Sequence, residues 1–145
     1  MKIVSVAVSK KKGTRKVIVD EALLIQDHGI EGDAHAGPWH RQVSFLAAES
    51  IEKARRQGLE VTFGDFAENI ATSGIDWEKI PVGTQLRLGD RVRVEVTQIG
   101  KECHTRCAIY YQAGDCIMPK EGIFARVLEG GKVRPGDMIR IEGDV

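Results

Sequence analysis

Sixteen glycines are spread along this 145-residue chain and cut it into short segments, most of which alternate apolar and polar residues. Alternation with a period of two is the mark of half-buried strands, and frequent glycine supplies the turns between them. The chain is therefore expected to be mainly β. Ile3-Val4-Ser5-Val6-Ala7-Val8 and Val17-Ile18-Val19 flank a basic stretch, residues 10–16, with Gly13 at its centre. That pattern reads as a hairpin with a solvated tip. Residues 81–88 are echoed by residues 134–141, each a glycine-containing turn feeding an alternating strand, and residues 91–96 add another strand between them. So many short strands would leave exposed edges unless the sheet curls. The expectation is a closed or partly closed β-barrel with one or two packed helices, forming one domain over residues 1–145.

The clearest helix is expected over residues 47–57. Ala47, Ile51 and Ala54 mark one face, acids precede bases, and Gly58 provides a left-handed stop. Residues 122–128 carry Ile123, Phe124, Val127 and Leu128, a pattern that fits a short helix or a strand. Lys and Arg total 21 against 21 Asp and Glu. No overall field favours nucleic acid or an anionic membrane, and the basic tip lacks interleaved aromatics. The apolar runs are short and no signal-peptide pattern opens the chain, so a cytoplasmic protein is expected.

Two segments carry candidate chemistry. All three cysteines, Cys103, Cys107 and Cys116, fall with His104 within fourteen residues. An odd cysteine count argues against a secreted disulfide framework, and Lys101 and Arg106 beside the thiols favour the reactive thiolate. A structural zinc site is one reading, although a C-x3-C pair followed by a single cysteine lacks a second knuckle. Upstream, residues 28–40 hold three histidines, two acids and three glycines. The segment is too polar for a strand and reads as a loop whose glycines let N–H groups converge on an anion. Arg41, Arg106 and Arg126 are candidate anion clamps, with Arg106 first by neighbourhood.

Several ordered segments together resemble the MOSC family, named for the C-terminal domain of molybdenum cofactor sulfurases, and in particular its small stand-alone bacterial members. They are Gly29-Ile30-Glu31-Gly32-Asp33-Ala34-His35-Ala36-Gly37, Gln42-Val43-Ser44-Phe45-Leu46, Gly64-Asp65-Phe66-Ala67-Glu68-Asn69-Ile70, Val96-Thr97-Gln98-Ile99-Gly100-Lys101-Glu102-Cys103, and residues 114–128. The resemblance implies a β-rich barrel that handles the molybdenum cofactor or its sulfur, with Cys107, or its rival Cys103, as metal ligand or persulfide carrier. A soft thiolate suits both roles. Gly32, Asp33, His35, Gly37, Arg106 and Arg126 are the residues expected to bind the cofactor. Pyridoxal phosphate is associated with the family, but no lysine here has a recognisable Schiff-base setting. A chain of this length has no room for a desulfurase domain, so sulfur or electrons are expected from a desulfurase or redox partner protein. A homodimer would be unsurprising for a small barrel. The alternatives are a molybdenum-dependent oxidoreductase acting on small N-hydroxylated compounds and a non-catalytic domain with a Cys/His zinc site.

Overall fold

The computed structural model describes residues 1–11, 16–58, 60–100 and 122–142. Among these residues, eleven strands run in chain order: β1 (Lys2–Val8), β2 (Val17–Val19), β3 (Ala22–Ile25), β4 (Gly29–Ile30), β5 (Val43–Ala47), β6 (Ile70–Ser73), β7 (Gln85–Leu88), β8 (Val92–Ile99), β9 (Ile123–Glu129), β10 (Gly131–Val133) and β11 (Ile139–Glu142). The α-helix α1 (Ala48–Arg56) lies between β5 and β6 in the chain. Eight strands form one sheet in the order β11-β7-β8-β9-β5-β6-β1-β2, and β10-β3-β4 form a second.

Among the described residues, parallel pairing in this main sheet occurs only between β5 and β6, with Phe45 opposite Ile70. The helix between them explains it, since parallel neighbours need a crossover long enough to return to the starting end. Ile51 and Ala54 bury the inner side of α1 with Leu46, Phe66, Ala71 and Phe124. Phe45, one residue from Leu46, instead joins a larger core with Ile3, Ile70, Leu86, Val94 and Trp77. Strand β5 is thus apolar on both faces because both are covered. Leu24 and Ile30 from the small sheet and Val133 from β10 enter the same larger core, so the second sheet packs over the first.

The hairpin expected around the basic tip is formed, with Val6 opposite Val19 and Val8 opposite Val17. The two echoed segments lie side by side, Leu86 facing Ile141 and Leu88 facing Ile139. Residues 122–128 do not make a second helix. Their strand lies between β5 and β8. Ile123, Ala125 and Val127 enter the larger core, while Phe124 packs with the helix. Pairing on both edges decides a segment whose local pattern fits either state.

Of the closed or partly closed barrel, full closure is not seen. Among the described residues the main ladder ends at β2 and β11. The approach to β11 still reaches back to β1 through a single bridge, Lys2 to Met138. Three hydrogen bonds accompany it: Ile3 N–H to the Asp137 carbonyl, Gly136 N–H to the Ile3 carbonyl and Ile139 N–H to the Met1 carbonyl. The sheet curls without a continuous ladder around its circumference. No helix among the described residues is long and apolar enough to cross a membrane.

Candidate functional site

The histidine loop leaves β4 and folds back onto the end of β1. Ala34 N–H donates to the Ser9 carbonyl at 2.7 Å, and Gly37 N–H donates to the His28 carbonyl at 2.6 Å. Asp33 is buried beneath the loop. Its Oδ1 accepts from Ser9 N–H at 3.0 Å and from Lys16 Nζ at 2.8 Å, and its Oδ2 accepts from His35 N–H at 3.1 Å. The Lys16 and Asp33 side chains are both 0% exposed. Burial pushes the Asp33 carboxyl up, but the Lys16 hydrogen bond and charge, with the N–H groups of Ser9 and His35, outweigh it and hold the carboxyl below its ordinary value.

Lys16 also reaches Ser9 Oγ at 3.1 Å and His35 Nδ1 at 3.2 Å. The His35 ring stacks on Trp39, centroids 6.5 Å apart and planes within 2°, and Trp39 Nε1–H donates to the His35 carbonyl at 2.7 Å. Arg41 follows, its guanidinium carbon 5.8 Å from the centre of the Trp39 ring and 5.5 Å from that of Phe124. These are cation–π distances.

Two contacts tie this loop to the end of β8. Arg41 Nε–H donates to Gln98 Oε1 at 3.1 Å, and Thr97 Oγ–H donates to the His40 carbonyl. Gln98 Nε2–H then donates to the Gly100 carbonyl at 2.7 Å. Gly100 N–H in turn donates to the Gly122 carbonyl at 2.6 Å, so the backbone departs and returns at one neck. Ile99 and Ile123 at that neck line a hollow of about 260 Å³ with Ala47, Ser50, Ile75 and Trp77. A larger cleft of about 930 Å³ lies at the other end of β8, beside Gly89, Asp90 and Arg91.

The Gly64-to-Asn69 segment supports the loop from below. Gly64 accepts from Lys16 N–H at 2.8 Å. A Cβ at Gly64 would stand 2.4 Å from the Lys16 carbonyl oxygen, and its φ is +87°. Only glycine fits that approach without displacement. Glu68 is buried and accepts from Gly64 N–H at 2.6 Å and from Phe66 N–H at 3.2 Å. Burial raises its carboxyl to about 7 against those two hydrogen bonds. Asn69 stitches the strands above, its side chain accepting from Ser44 N–H at 3.0 Å and donating to the Ala7 carbonyl at 3.1 Å.

Of the residues expected from the sequence, Asp33 and His35 stand together, with Gly32 and Gly37 in the turns around them. Arg126 does not join them. It is solvent-facing on β9 and pairs with Glu95 at 3.6 Å. Its place in the strand alternation turns it away from the core while Ala125 and Val127 are buried. Cys103, Arg106, Cys107 and Cys116, with Lys101 and His104, lie outside the described residues. Among the described residues no group of three His, Cys, Asp or Glu side chains could hold a metal. Sequence reasoning missed Lys16, Ser9 and Gln98. Lys16 was hidden in the basic tip, where it looks solvated.

A curled, mainly β sheet with one crossover helix among the described residues, and a histidine loop tied to the end of β8, define the class of fold. The chain belongs to the MOSC domain family, whose model matches residues 32–140. That family is generally linked to molybdenum cofactor-related function. Among solved structures, the YuaD protein of Bacillus subtilis superposes with a TM-score of 0.78 at 18% identity, covering 95% of this chain and 93% of that one. YiiM from Geobacillus stearothermophilus gives 0.73 at 22% identity over 97% of this chain and 74% of its own. YiiM from Escherichia coli gives 0.71 at 22% identity over 100% of this chain and 71% of its own. At these identities the likeness is one of fold. A comparison with curated proteins found no match.

Proposed function

We propose that this chain binds the molybdenum cofactor, or carries the sulfur destined for it, through a thiol of the Cys103–Cys107 segment and an anion-holding histidine loop. The carrying observation is the link from Arg41 to Gln98, which joins that loop to the strand end from which the cysteine segment departs. Cys103 is three positions beyond Gly100, and three residues of chain reach at most about 11 Å.

The donors present fit the group. Arg41 brings positive charge and His35 a ring N–H donor to one loop, which suits the anionic phosphate of a pterin cofactor. His35 and Arg41 would hold that phosphate, and Asp33 would act only through Lys16. Cys107, with Cys103 as rival, would offer the soft thiolate, favoured by the neighbouring Arg106 and Lys101. When bound, the cofactor would supply a redox-active metal with sulfur ligands. Trp39 stacked on His35 would shield the loop's hydrogen bonds from water, which strengthens them. A desulfurase or redox protein would serve as the partner that delivers sulfur or electrons.

The test is to make the protein in cells replete with molybdenum cofactor and to measure bound metal and pterin. Copurified molybdenum and pterin, lost from Cys107→Ser or Cys103→Ser, is the expected result. Carriage of sulfur instead adds one sulfur mass to either thiol after incubation with a cysteine desulfurase. Stoichiometric zinc, or neither molybdenum nor sulfur on alkylatable thiols, overturns the reading.

A further inference from the structure

A histidine in a protein site is commonly oriented by a carboxylate that accepts from Nδ1–H, which leaves a lone pair on Nε2 for a metal or a proton. His35 has a carboxylate nearby, but the geometry is different. Asp33 Oδ2 stands 3.8 Å from Nδ1, beyond hydrogen-bond range, and is engaged by the His35 backbone N–H. The group that reaches Nδ1 is Lys16 Nζ at 3.2 Å. A lysine ammonium donates and has no lone pair to accept with. Lys16 is held in that charged form by Asp33 at 2.8 Å, both side chains being fully buried. The ring nitrogen it touches must therefore present its lone pair, and the ring proton must sit on the other nitrogen.

We infer that Lys16 is a positioning residue that fixes His35 in the tautomer protonated on Nε2. His35 is then a hydrogen-bond donor to an anionic or carbonyl oxygen of the ligand, and neither a base nor a metal ligand. The lysine inverts the polarity that a direct histidine–carboxylate pair would give. The arrangement also opposes protonation of Nδ1, which would set an imidazolium N–H against an ammonium. This rests on the proposed role of the loop in holding an oxyanion, and it names the atom that would do so. The parallel stack with Trp39 keeps the ring plane, and with it the direction of Nε2–H, constant.

Ring-nitrogen NMR of the full chain, labelled with ¹⁵N-histidine at neutral pH, reads the tautomer directly, with His35→Gln assigning the signal. The expected spectrum has one protonated nitrogen, Nε2, and an unprotonated Nδ1. In Lys16→Met/Asp33→Asn, which removes both buried charges together, the Nε2 preference should weaken to a mixture of tautomers. A wild-type ring protonated on Nδ1, or on both nitrogens, overturns the proposal, as does a double variant with an unchanged tautomer. If the double variant does not fold, the wild-type spectrum still decides. The measurement needs no cofactor, so its failure leaves the cysteine-based reading standing, and absence of molybdenum from purified protein leaves the tautomer untouched.

Discussion

Arg41 and Gln98 are 57 positions apart in the chain, yet the Arg41 Nε–H donates to the Gln98 side-chain oxygen across 3.1 Å. Gln98 spends its amide on the Gly100 carbonyl, so one side chain holds both the histidine loop and the neck of the cysteine segment. Replacing Gln98 by Leu releases both at once. We expect cofactor or pterin retention to fall several-fold while stability drops by only about 1–2 kcal/mol. Urea unfolding beside metal analysis checks it, and a retained cofactor content would show that the link is not used.

The buried pair of Lys16 and Asp33 predicts an asymmetry. Lys16→Met strands a carboxylate in the interior and should cost about 3–5 kcal/mol, whereas Lys16→Met/Asp33→Asn should recover much of that loss. Because the folded-state Asp33 carboxyl lies below its unfolded value, its contribution is present above about pH 4 and is lost as pH falls through the folded value. Thermal unfolding of the three proteins at pH 7 and pH 3 measures both effects. Equal stability of the single and double variants at pH 7 would contradict the ion-pair account.

Glu68 predicts the opposite slope. Its carboxyl is raised to about 7 in the folded chain, so the unfolded chain ionises first as pH rises. Stability should fall by about 3 kcal/mol between about pH 4.5 and pH 7 and then level off. Glu68→Gln cannot ionise and should lack this component, seen as a smaller difference between urea midpoints at pH 5 and pH 8. A variant with the wild-type slope would place the titrating group elsewhere.

Two glycines with similar backbone angles should respond differently. Gly32 has φ +82° with nothing within 4 Å of an added Cβ, whereas Gly64 has φ +87° and meets the Lys16 carbonyl oxygen at 2.4 Å. Gly32→Ala should cost about 1–2 kcal/mol from left-handed backbone strain alone. Gly64→Ala adds displacement of the Lys16 backbone, and with it the Asp33 contact, so the loss should be at least twice as large. Denaturant midpoints of the two variants settle the order.

Much of the fold was legible from local signals. The β1–β2 hairpin, the helix with its Gly58 stop and the echoed strands β7 and β11 follow from alternation, helical spacing and turn glycines. Residues 123–129 were ambiguous because a strand paired on both sides carries apolar residues on both faces, which blurs its period. The degree of closure was not legible, because a Lys2–Met138 bridge has no sequence signature distinct from a full ladder. In the candidate loop, Asp33 and His35 are singled out in the sequence by their place in a glycine-rich segment, and the structure brings them together. Lys16 was not, because its burial depends on a carboxylate 17 residues away and its neighbours in the sequence are other cations. Arg126 stands beside Glu95, away from the loop, a placement settled by pairing with β8 and not by local sequence.

The neck formed by Gly100 and Gly122 has a consequence for how such a scaffold diversifies. Below it, Ile99 already faces Ile123 in the β8–β9 ladder, and the glycine hydrogen bond finishes the pair. The positions on either side of residues 101–121 are thereby held together by contacts among the described strands. A change of sequence between them leaves both anchor points set by the ladder that Ile99 and Ile123 already share.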